Sequence, residues 1–377
     1  MQKGIFASAL IAGLSLSSAA TAAESVKIGL IQPLTGSVAY NGQADVEGAK
    51  LALEEINAKG GVLGAPLELI VEDGQCKPAN SVNAIEKLVQ KDEVAAVIGA
   101  FCSSATAAIM PVAQKYKIPL VTGVSSKADL TEQDNPYFFR AAETDKLMAE
   151  AFARILAKDL GLKTVAYVGV NDDWGRGGVE EFEKNLSALG VKTVLTEYFD
   201  HGTTDFYTIA TKIRAAKPDG MFVAAETQDG SIFMKQIREL GVDTKVFGVG
   251  SWATSDFIKL TGDAAEGIYA AVPYVSAIPA PRNVAFVKKY EAAYGKKPGK
   301  YGAAGYNAVN IVAAAIERAG SADAEAIREA LTKTHYEAPN GVYGFTDKGQ
   351  AYGFDAVLVQ LKGGEPVVVT TSPVEAH

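Results

Sequence analysis

The chain has 377 residues, of which 48% are hydrophobic and 21% are charged, and its formal net charge is −8 at pH 7. These proportions are those of a globular protein, and the lack of a basic tract argues against a nucleic-acid partner. The length exceeds what a single hydrophobic core usually supports, so we expect two domains.

Residues 1–23 predict a secretory signal peptide that is not part of the fold. Lys3 gives the positive charge that signal peptides carry before their apolar segment. Residues 5–16 form that apolar segment, which is too short for a stable membrane anchor. Residues 20–23 offer an A-x-A cleavage site, and no cysteine stands near it. We therefore expect an exported protein without a lipid anchor.

From residue 24 onward, strand-like and helix-like patterns alternate. A first unit has predicted strands at 26–32, 67–72, 94–100 and 119–123 and predicted helices at 45–57, 80–90 and 105–116. After an extended segment at 137–144, a second unit has predicted helices at 146–160, 177–188, 206–216 and 230–240 and predicted strands at 164–170, 191–198, 220–224 and 245–249. This alternation predicts mostly parallel sheets with helices on both faces.

The last third of the chain changes pattern. An extended segment at 267–274 is followed by predicted helices at 283–294, 305–319 and 322–332 and by predicted strands at 340–345, 354–362 and 367–371. Two similar units with several extended crossings predict a cleft that opens and closes. We expect an α/β fold of two doubly wound parallel-sheet lobes, with crossings near residues 143, 272 and 350. One lobe would hold residues 24–143 and 273–350, and the other 144–272 and 351–377.

The stretch I-G-A-F-C-S-S-A-T at 98–106 is the first candidate site. A predicted strand ends at Gly99, and the hydroxyl residues Ser103, Ser104 and Thr106 open the next predicted helix. Free N–H groups and hydroxyls at a helix start favour a small anion such as a carboxylate, and ligands bind at this edge of parallel sheets. The alternative is a capped helix with no ligand.

The two cysteines of the chain each follow a predicted strand. Cys76 comes after the strand at 67–72, and Cys102 after the strand at 94–100. If both strands share a sheet, their carboxyl ends lie at one edge and a disulfide can form, as is common in exported proteins. The alternative is two free, buried cysteines.

Sequence motifs for catalysis or metal binding are absent from the chain. The histidines His201, His335 and His377 are far apart, and none has metal-ligand spacing. There is no H-E-x-x-H, G-x-S-x-G, G-K-[ST] or C-x-x-C pattern, and no carboxylate pair stands out as acid and base. We therefore expect no enzyme activity, no cofactor and no metal.

Seven ordered signatures carry a resemblance to a known family. The chain resembles the exported solute-binding proteins of ABC transporters, of the leucine/isoleucine/valine-binding type with the type I periplasmic binding fold, over residues 25–371. The signatures are I-G-L-I-Q-P-L-T-G, G-A-K-L-A-L-E-E-I-N-A-K-G-G-V-L-G, I-V-E-D-G-Q-C, V-I-G-A-F-C-S-S-A-T, L-V-T-G-V-S-S-K-A-D-L-T, D-D-W-G-R-G and A-A-G-Y-N-A-V. The resemblance implies a periplasmic monomer that delivers its ligand to an inner-membrane ABC permease, and a disulfide between the two cysteines.

The resemblance also implies ligand contacts. Ser103 would hold the α-carboxylate of an amino acid, Val124 would offer its carbonyl to the α-ammonium, and Ser126 would offer its hydroxyl to the carboxylate. Neutral donors suit a carboxylate and a carbonyl suits an ammonium. Further aligned positions form the walls and lid of the pocket: Phe101, Trp174, Tyr301, Tyr40 and Asn41.

One position departs from the family. The usual carboxylate for the ammonium is replaced here by Ser251 or Trp252, in the stretch G-V-G-S-W. Glu226, at the end of the preceding predicted strand, is the nearest carboxylate, and we hypothesise that it binds the ammonium. The alternative is that Glu226 caps the helix that follows it; the ligand would then be an aromatic or aliphatic carboxylate without an amine.

The expected function is capture of a small, branched-chain or related amino acid between the lobes by hinge closure. Two other classes stay open at this point. The same clamp could report its ligand to a receptor, which a partner assay would detect. An enzyme on the same scaffold would instead need an acid/base pair in the cleft and would turn its ligand over.

Overall fold

The computed structural model of the protein describes residues 24–376. The predicted signal peptide lies outside the described residues. The strands are Val26–Gln32 (β1), Leu67–Asp73 (β2), Ala96–Ile98 (β3), Leu120–Thr122 (β4), Phe138–Arg140 (β5), Thr164–Val170 (β6), Lys192–Phe199 (β7), Gly220–Ala225 (β8), Lys245–Gly250 (β9), Tyr269–Val272 (β10), Tyr336–Ala338 (β11), Gly341–Phe345 (β12), Ala351–Lys362 (β13) and Glu365–Pro373 (β14).

Helices separate most of these strands, as the alternating pattern predicts. They are Ala39–Ala58 (α1), Pro78–Gln90 (α2), Ser103–Tyr116 (α3), Asp145–Arg154 (α4), Asp173–Ala188 (α5), Tyr207–Ala216 (α6), Thr227–Glu239 (α7), Ser255–Thr261 (α8), Pro281–Tyr294 (α9), Lys300–Ala319 (α10) and Ala324–Thr332 (α11). No helix between residues 24 and 376 is both long enough and apolar enough to cross a bilayer.

The first lobe is built on a parallel sheet of five strands in the order β2-β1-β3-β4-β5. Strands β2 and β3 both flank β1, so their carboxyl ends lie at the same edge. The strand order reverses direction beside β1, and open α/β sheets bind ligands outside the strand ends at such a point.

The second lobe has a sheet in the order β11-β12-β13-β10-β9-β8-β6-β7, with β14 paired to β13. Strands β7, β6, β8, β9 and β10 are parallel, whereas β13 runs antiparallel to β10 and forms a hairpin with β14. Gly363 and Gly364 make the two-residue turn with φ of 58° and 79°, a backbone conformation that favours glycine. The predicted fold class, two α/β lobes with parallel sheets, is confirmed.

Close packing of α1 on α10 positions one wall of the cleft. A Cβ atom built on Gly48 of α1 would lie 1.8 Å from the carbonyl oxygen of Gly302 in α10. The two helix backbones therefore touch, which only glycine permits. This contact holds the start of α10, including Lys300 and Tyr301, beside the first sheet.

The buried Arg140 on β5 is joined to Gln350, the residue before β13. Its Nε donates to Oε1 of Gln350 at 2.6 Å, and Nε2 of Gln350 donates to the carbonyl of Ala142 at 2.9 Å. Strands β11 and β12 join the second sheet through β13, although our predicted division places 273–350 with the first lobe. The division of the chain between the lobes stays a prediction.

Candidate functional site

A cavity lies between the two lobes. The first lobe contributes the loops after β3 and β4 and the start of α10, and the second lobe contributes the start of α5, the loop after β7 and the end of β8. All of these segments follow strand carboxyl ends or begin helices, where small-molecule sites in α/β folds form. The lining residues are Phe101, Cys102, Ser103, Val124, Ser125, Ser126, Asp172, Trp174, His201, Glu226, Lys300 and Tyr301.

The start of α3 offers unused N–H groups to the cavity. Cys102 precedes the helix in an extended conformation, and its carbonyl accepts the first helical N–H, that of Thr106, at 2.9 Å. The N–H groups of the turn before Thr106, beginning with the buried Ser103, therefore have no acceptor within the helix. Together with the helix dipole they favour an anion here.

A buried hydroxyl network holds the two loops of the first lobe together. Ser125 Oγ donates to the carbonyls of Ala100 and Phe101 at 2.9 and 3.0 Å, and it lies 2.6 Å from Thr106 Oγ1. Thr106 Oγ1 also donates to the Ala100 carbonyl at 2.6 Å. These bonds fix the helix start relative to the loop after β4, so the N–H groups at the start of α3 are held in place.

Ser126 lies in the cavity, but its hydroxyl is engaged. Ser126 Oγ donates to the Asp145 carboxylate, 3.1 Å from each oxygen. Burial, and then the nearby Glu143 charge, raise the pKa of Asp145 to about 7, and the Ser126 hydrogen bond opposes that rise. The backbone N–H of Ser126, by contrast, has no acceptor among the described residues. The Ser103 hydroxyl accepts from Lys127 N–H at 3.3 Å, which leaves its proton for a ligand.

Glu226 lines the cavity from the second lobe and bonds across the cleft. It occupies the position before α7, yet its side chain makes no capping bond there. Its Oε2 instead accepts from Nδ2 of Asn41 at 2.6 Å and from the hydroxyl of Tyr301 at 2.7 Å. Burial raises the pKa of Glu226, and the Lys300 charge is the largest effect opposing that rise.

Aromatic side chains line the cavity from both lobes. The rings of Phe101 and Tyr301 are 4.7 Å apart and both residues are buried. Trp174, in the first turn of α5, lines the cavity from the second lobe. Such rings bury apolar ligand surface at low conformational cost.

Other sequence-predicted residues lie outside the cavity. Trp252 is fully buried, donates from Nε1 to the Ala225 carbonyl at 2.7 Å and stacks on Phe257, so it belongs to the core of the second lobe. Ser251 is also fully buried and does not line the cavity. Tyr40 lines a neighbouring hollow and is 40% exposed.

Asn41 does not line the cavity itself but bridges the lobes from α1. Its Nδ2 reaches Glu226, and its Oδ1 accepts from Thr227 Oγ1 at 2.7 Å. Asn41 therefore helps to position the Glu226 carboxylate, which lines the cavity.

The sequence analysis did not predict three charged residues that line the cavity, namely Asp172, His201 and Lys300. His201 Nε2 lies 2.9 Å from Asp172 Oδ2, and its Nδ1 lies 3.7 Å from Asp229 Oδ2. Burial lowers the pKa of His201, but its contacts with Asp172 and Asp229 outweigh burial and raise the pKa to about 10. Lys300 Nζ lies 3.0 Å from Glu143 Oε1. Only the signature D-D-W-G-R-G drew attention to Asp172; no local pattern distinguishes His201 or Lys300.

The predicted disulfide is confirmed. Cys76 and Cys102 are bonded, with their Cα atoms 5.4 Å apart. The bond joins the ends of β2 and β3 at one edge of the first sheet and fixes the residue that precedes α3.

Comparison with known proteins agrees with this architecture. A family model described as "Periplasmic binding protein" matches residues 25–365. The leucine-, isoleucine-, valine-, threonine-, and alanine-binding protein of Pseudomonas aeruginosa is 30% identical over 356 residues, and the match covers 94% of each chain.

Solved structures show the same two-lobed fold. A branched-chain amino acid transporter substrate-binding protein of Streptococcus pneumoniae, in complex with isoleucine, has a TM-score of 0.85 at 26% identity over 93% of this chain and 99% of that one. A solute-binding protein of an ABC transporter from Rhodopseudomonas palustris, in complex with 3,4-dihydroxybenzoic acid, has a TM-score of 0.86 at 26% identity over 93% and 98% of the two chains. This chain belongs to the periplasmic binding protein family.

Proposed function

We propose that the protein is the periplasmic substrate-binding component of an ABC importer and captures a small amino acid between its lobes. The observation that carries this proposal is the cavity in which the start of α3 and the Glu226 carboxylate come together. A zwitterion needs an anion site and a cation site a few bonds apart, and the cavity offers both.

In this proposal the ligand carboxylate lies at the N–H groups of Ser103 and Ser126. Its ammonium lies between Glu226 and the Val124 carbonyl, which has no hydrogen-bond donor among the described residues. Glu226 Oε2 already accepts two bonds, and Oε1 has no hydrogen-bond partner within residues 24–376. That oxygen is the one we assign to the ammonium. Relatives that bind branched-chain amino acids support the ligand class.

The proposal also covers the oligomeric state, the permease partner and the hinge between the lobes. We infer that the protein acts as a monomer, that the closed form is presented to an inner-membrane permease, and that hinge crossings lie near residues 143, 272 and 350. The bonds from Asn41 to Glu226 and Thr227 support closure, because they join the two lobes.

The test is a thermal-shift screen of refolded, ligand-free protein against amino acids and small aromatic acids, followed by calorimetric titration of the best ligand. We expect an α-amino acid to bind and Glu226→Gln to weaken its binding by about tenfold to a hundredfold, because a hydrogen bond to a charged group contributes about 1.5–3 kcal/mol. The exposed Glu180→Gln is the matched control and should leave affinity unchanged.

A second candidate is a carboxylate ligand without an amine, such as a small aromatic acid. The aromatic lining by Phe101, Trp174 and Tyr301 favours it, as does the structural neighbour in complex with 3,4-dihydroxybenzoic acid. Binding confined to amine-free acids, with no response to Glu226→Gln, would establish this candidate and refute the amino-acid proposal.

A further inference from the structure

Lys300 is a buried cation on the cavity wall with unused donors. Its side chain is 9% exposed, and its ammonium has one hydrogen-bond partner within residues 24–376, Glu143 Oε1 at 3.0 Å. A lysine ammonium carries three N–H donors. Its Nζ also lies 5.0 Å from the centroid of the Tyr301 ring, but two of its donors have no oxygen or nitrogen acceptor among the described residues. Burying a donor without an acceptor is unfavourable, and a bound ligand is the group that can supply one.

The position of Lys300 in its helix also works against stability. It is the first residue of α10, where the helix dipole disfavours a positive charge. A residue that breaks a local rule in a buried position is expected at a functional site rather than in a structural role.

The charges around the cavity restrict what the ligand presents to Lys300. Asp172 pairs with the protonated His201, and Lys300 pairs with Glu143, so Glu226 is the carboxylate left for a ligand ammonium. The ligand carboxylate is held at the start of α3. A second negative charge on the ligand would have no free counter-charge, because Lys300 pairs with Glu143 and His201 lies between Asp172 and Asp229. A neutral oxygen acceptor on the ligand can accept from the free N–H donors of Lys300 without adding a charge to the cavity.

We propose that Lys300 is a specificity-determining residue that donates to a hydroxyl or carboxamide oxygen on the ligand side chain. The inference rests on the proposed amino-acid function and narrows it to amino acids with a neutral polar side chain. An aliphatic side chain of the same shape leaves the Lys300 donors unpaired, and sites built to hydrogen-bond a ligand reject such analogues strongly.

The experiment uses pairs of ligands with matched shape: threonine against valine, and asparagine against leucine. Calorimetric titration of the full-length, refolded protein gives the ratio of dissociation constants within each pair. We expect the polar member to bind about tenfold to a hundredfold more tightly. This ratio tests the ligand class in the wild-type protein, without any substitution.

The role of Lys300 is then tested in the double variant Lys300→Met with Glu143→Gln, which removes the cation without leaving a buried carboxylate unpaired. The matched control is Glu143→Gln alone, which keeps the cation. We expect the double variant to lose most of the preference within each pair and the control to retain it. Thermal melts of both variants verify that they fold.

Three results would overturn the inference in different ways. If valine and leucine bind the wild type as tightly as their polar partners, the amino-acid function stands and the polar selectivity fails. If the double variant keeps the preference for the polar ligands, a group other than Lys300 recognises the ligand side chain. If no amino acid binds and an amine-free acid does, the proposed function itself is wrong.

Discussion

Single residues in this cleft are held in place by charged partners rather than by apolar packing alone. His201 sits between Asp172 and Asp229, and Asp172 also caps α5 by accepting from Gly175 N–H at 2.8 Å. The imidazolium is therefore part of the structure that shapes the cavity, and its protonation contributes to stability.

The raised pKa of His201 predicts a loss of stability at alkaline pH. Below pH 6.5 the folded and unfolded states both hold the proton, so the contribution is fully present. Between pH 6.5 and about 10 only the folded state holds it, so the free energy of unfolding falls as pH rises. Urea unfolding measures the free energy of unfolding at pH 6 and pH 9. This free energy should fall less between the two pH values in His201→Gln than in the wild type. The exposed His335→Gln is the control, and equal falls in all three proteins would contradict the prediction.

At the scale of elements, the site depends on how α3 and α10 are anchored to the first sheet. The disulfide fixes the start of α3, and the glycine contact between Gly48 and Gly302 fixes the start of α10. Both anchors act on segments that line the cavity, so their loss should affect stability first and ligand binding second.

Removal of the disulfide should destabilise the protein. Cys76 and Cys102 are 26 positions apart, and closing such a loop restricts the unfolded chain by roughly 3.5 kcal/mol in the chain-entropy treatment. The double variant Cys76→Ser with Cys102→Ser should unfold at correspondingly lower urea. A reducing agent should shift the wild type in the same direction and leave the variant unchanged; a shift in both would point to another cause.

Gly48→Ala should destabilise the protein although alanine is the better helix former. The added Cβ would overlap the Gly302 carbonyl, and overpacking of this kind costs about 2 kcal/mol or more. Gly177→Ala in α5 is the matched control, because its Cβ meets only Lys127 Cγ at 3.5 Å. The control should gain up to about 1 kcal/mol from helix propensity. Urea unfolding that ranks Gly48→Ala at or above the wild type would refute the packing argument.

At the scale of the whole molecule, the cavity exists only where the two lobes meet. Asn41 of the first lobe and Thr227 of the second are 186 positions apart, yet their side chains form a buried hydrogen bond. Contacts of this kind hold the two lobes together, and in the proposed function a ligand that touches both lobes adds to them.

Thr227→Val should weaken ligand binding without touching the cavity. The substitution keeps the shape of the side chain and removes the bond to Asn41, so the closed state is less populated and the apparent affinity falls by about twofold to tenfold. Titration calorimetry measures the affinity, and small-angle X-ray scattering should show a larger radius of gyration at partial saturation. Thr332→Val is the control, because it loses only a local bond to Glu329, and its affinity should match that of the wild type. Equal affinities in the wild type, Thr227→Val and Thr332→Val would contradict the prediction that this bond favours ligand binding.

Much of the fold could be predicted because its signals are local. Apolar strands alternating with amphipathic helices imply parallel α/β lobes whatever the ligand, and the two cysteines follow strands that share one sheet edge. Unpaired N–H groups are a property of any helix start, so the proposal of an anion site near Ser103 also rests on a short stretch of chain.

Other features were decided only when distant segments packed together. Trp252 belongs to the core and Tyr40 to the surface, although both are aromatic like Trp174 in the cavity. Lys300 and His201 enter the cavity because α10 and the loop after β7 are brought to it by lobe packing. The sequence by itself determined the α/β class and the helix start whose N–H groups line the cleft, since these arise from periodicity and backbone geometry, whereas the disulfide needed strands β2 and β3 to lie in one sheet. The tertiary structure alone decided which charges face the ligand, because burial and pairing depend on contacts between residues far apart in the chain.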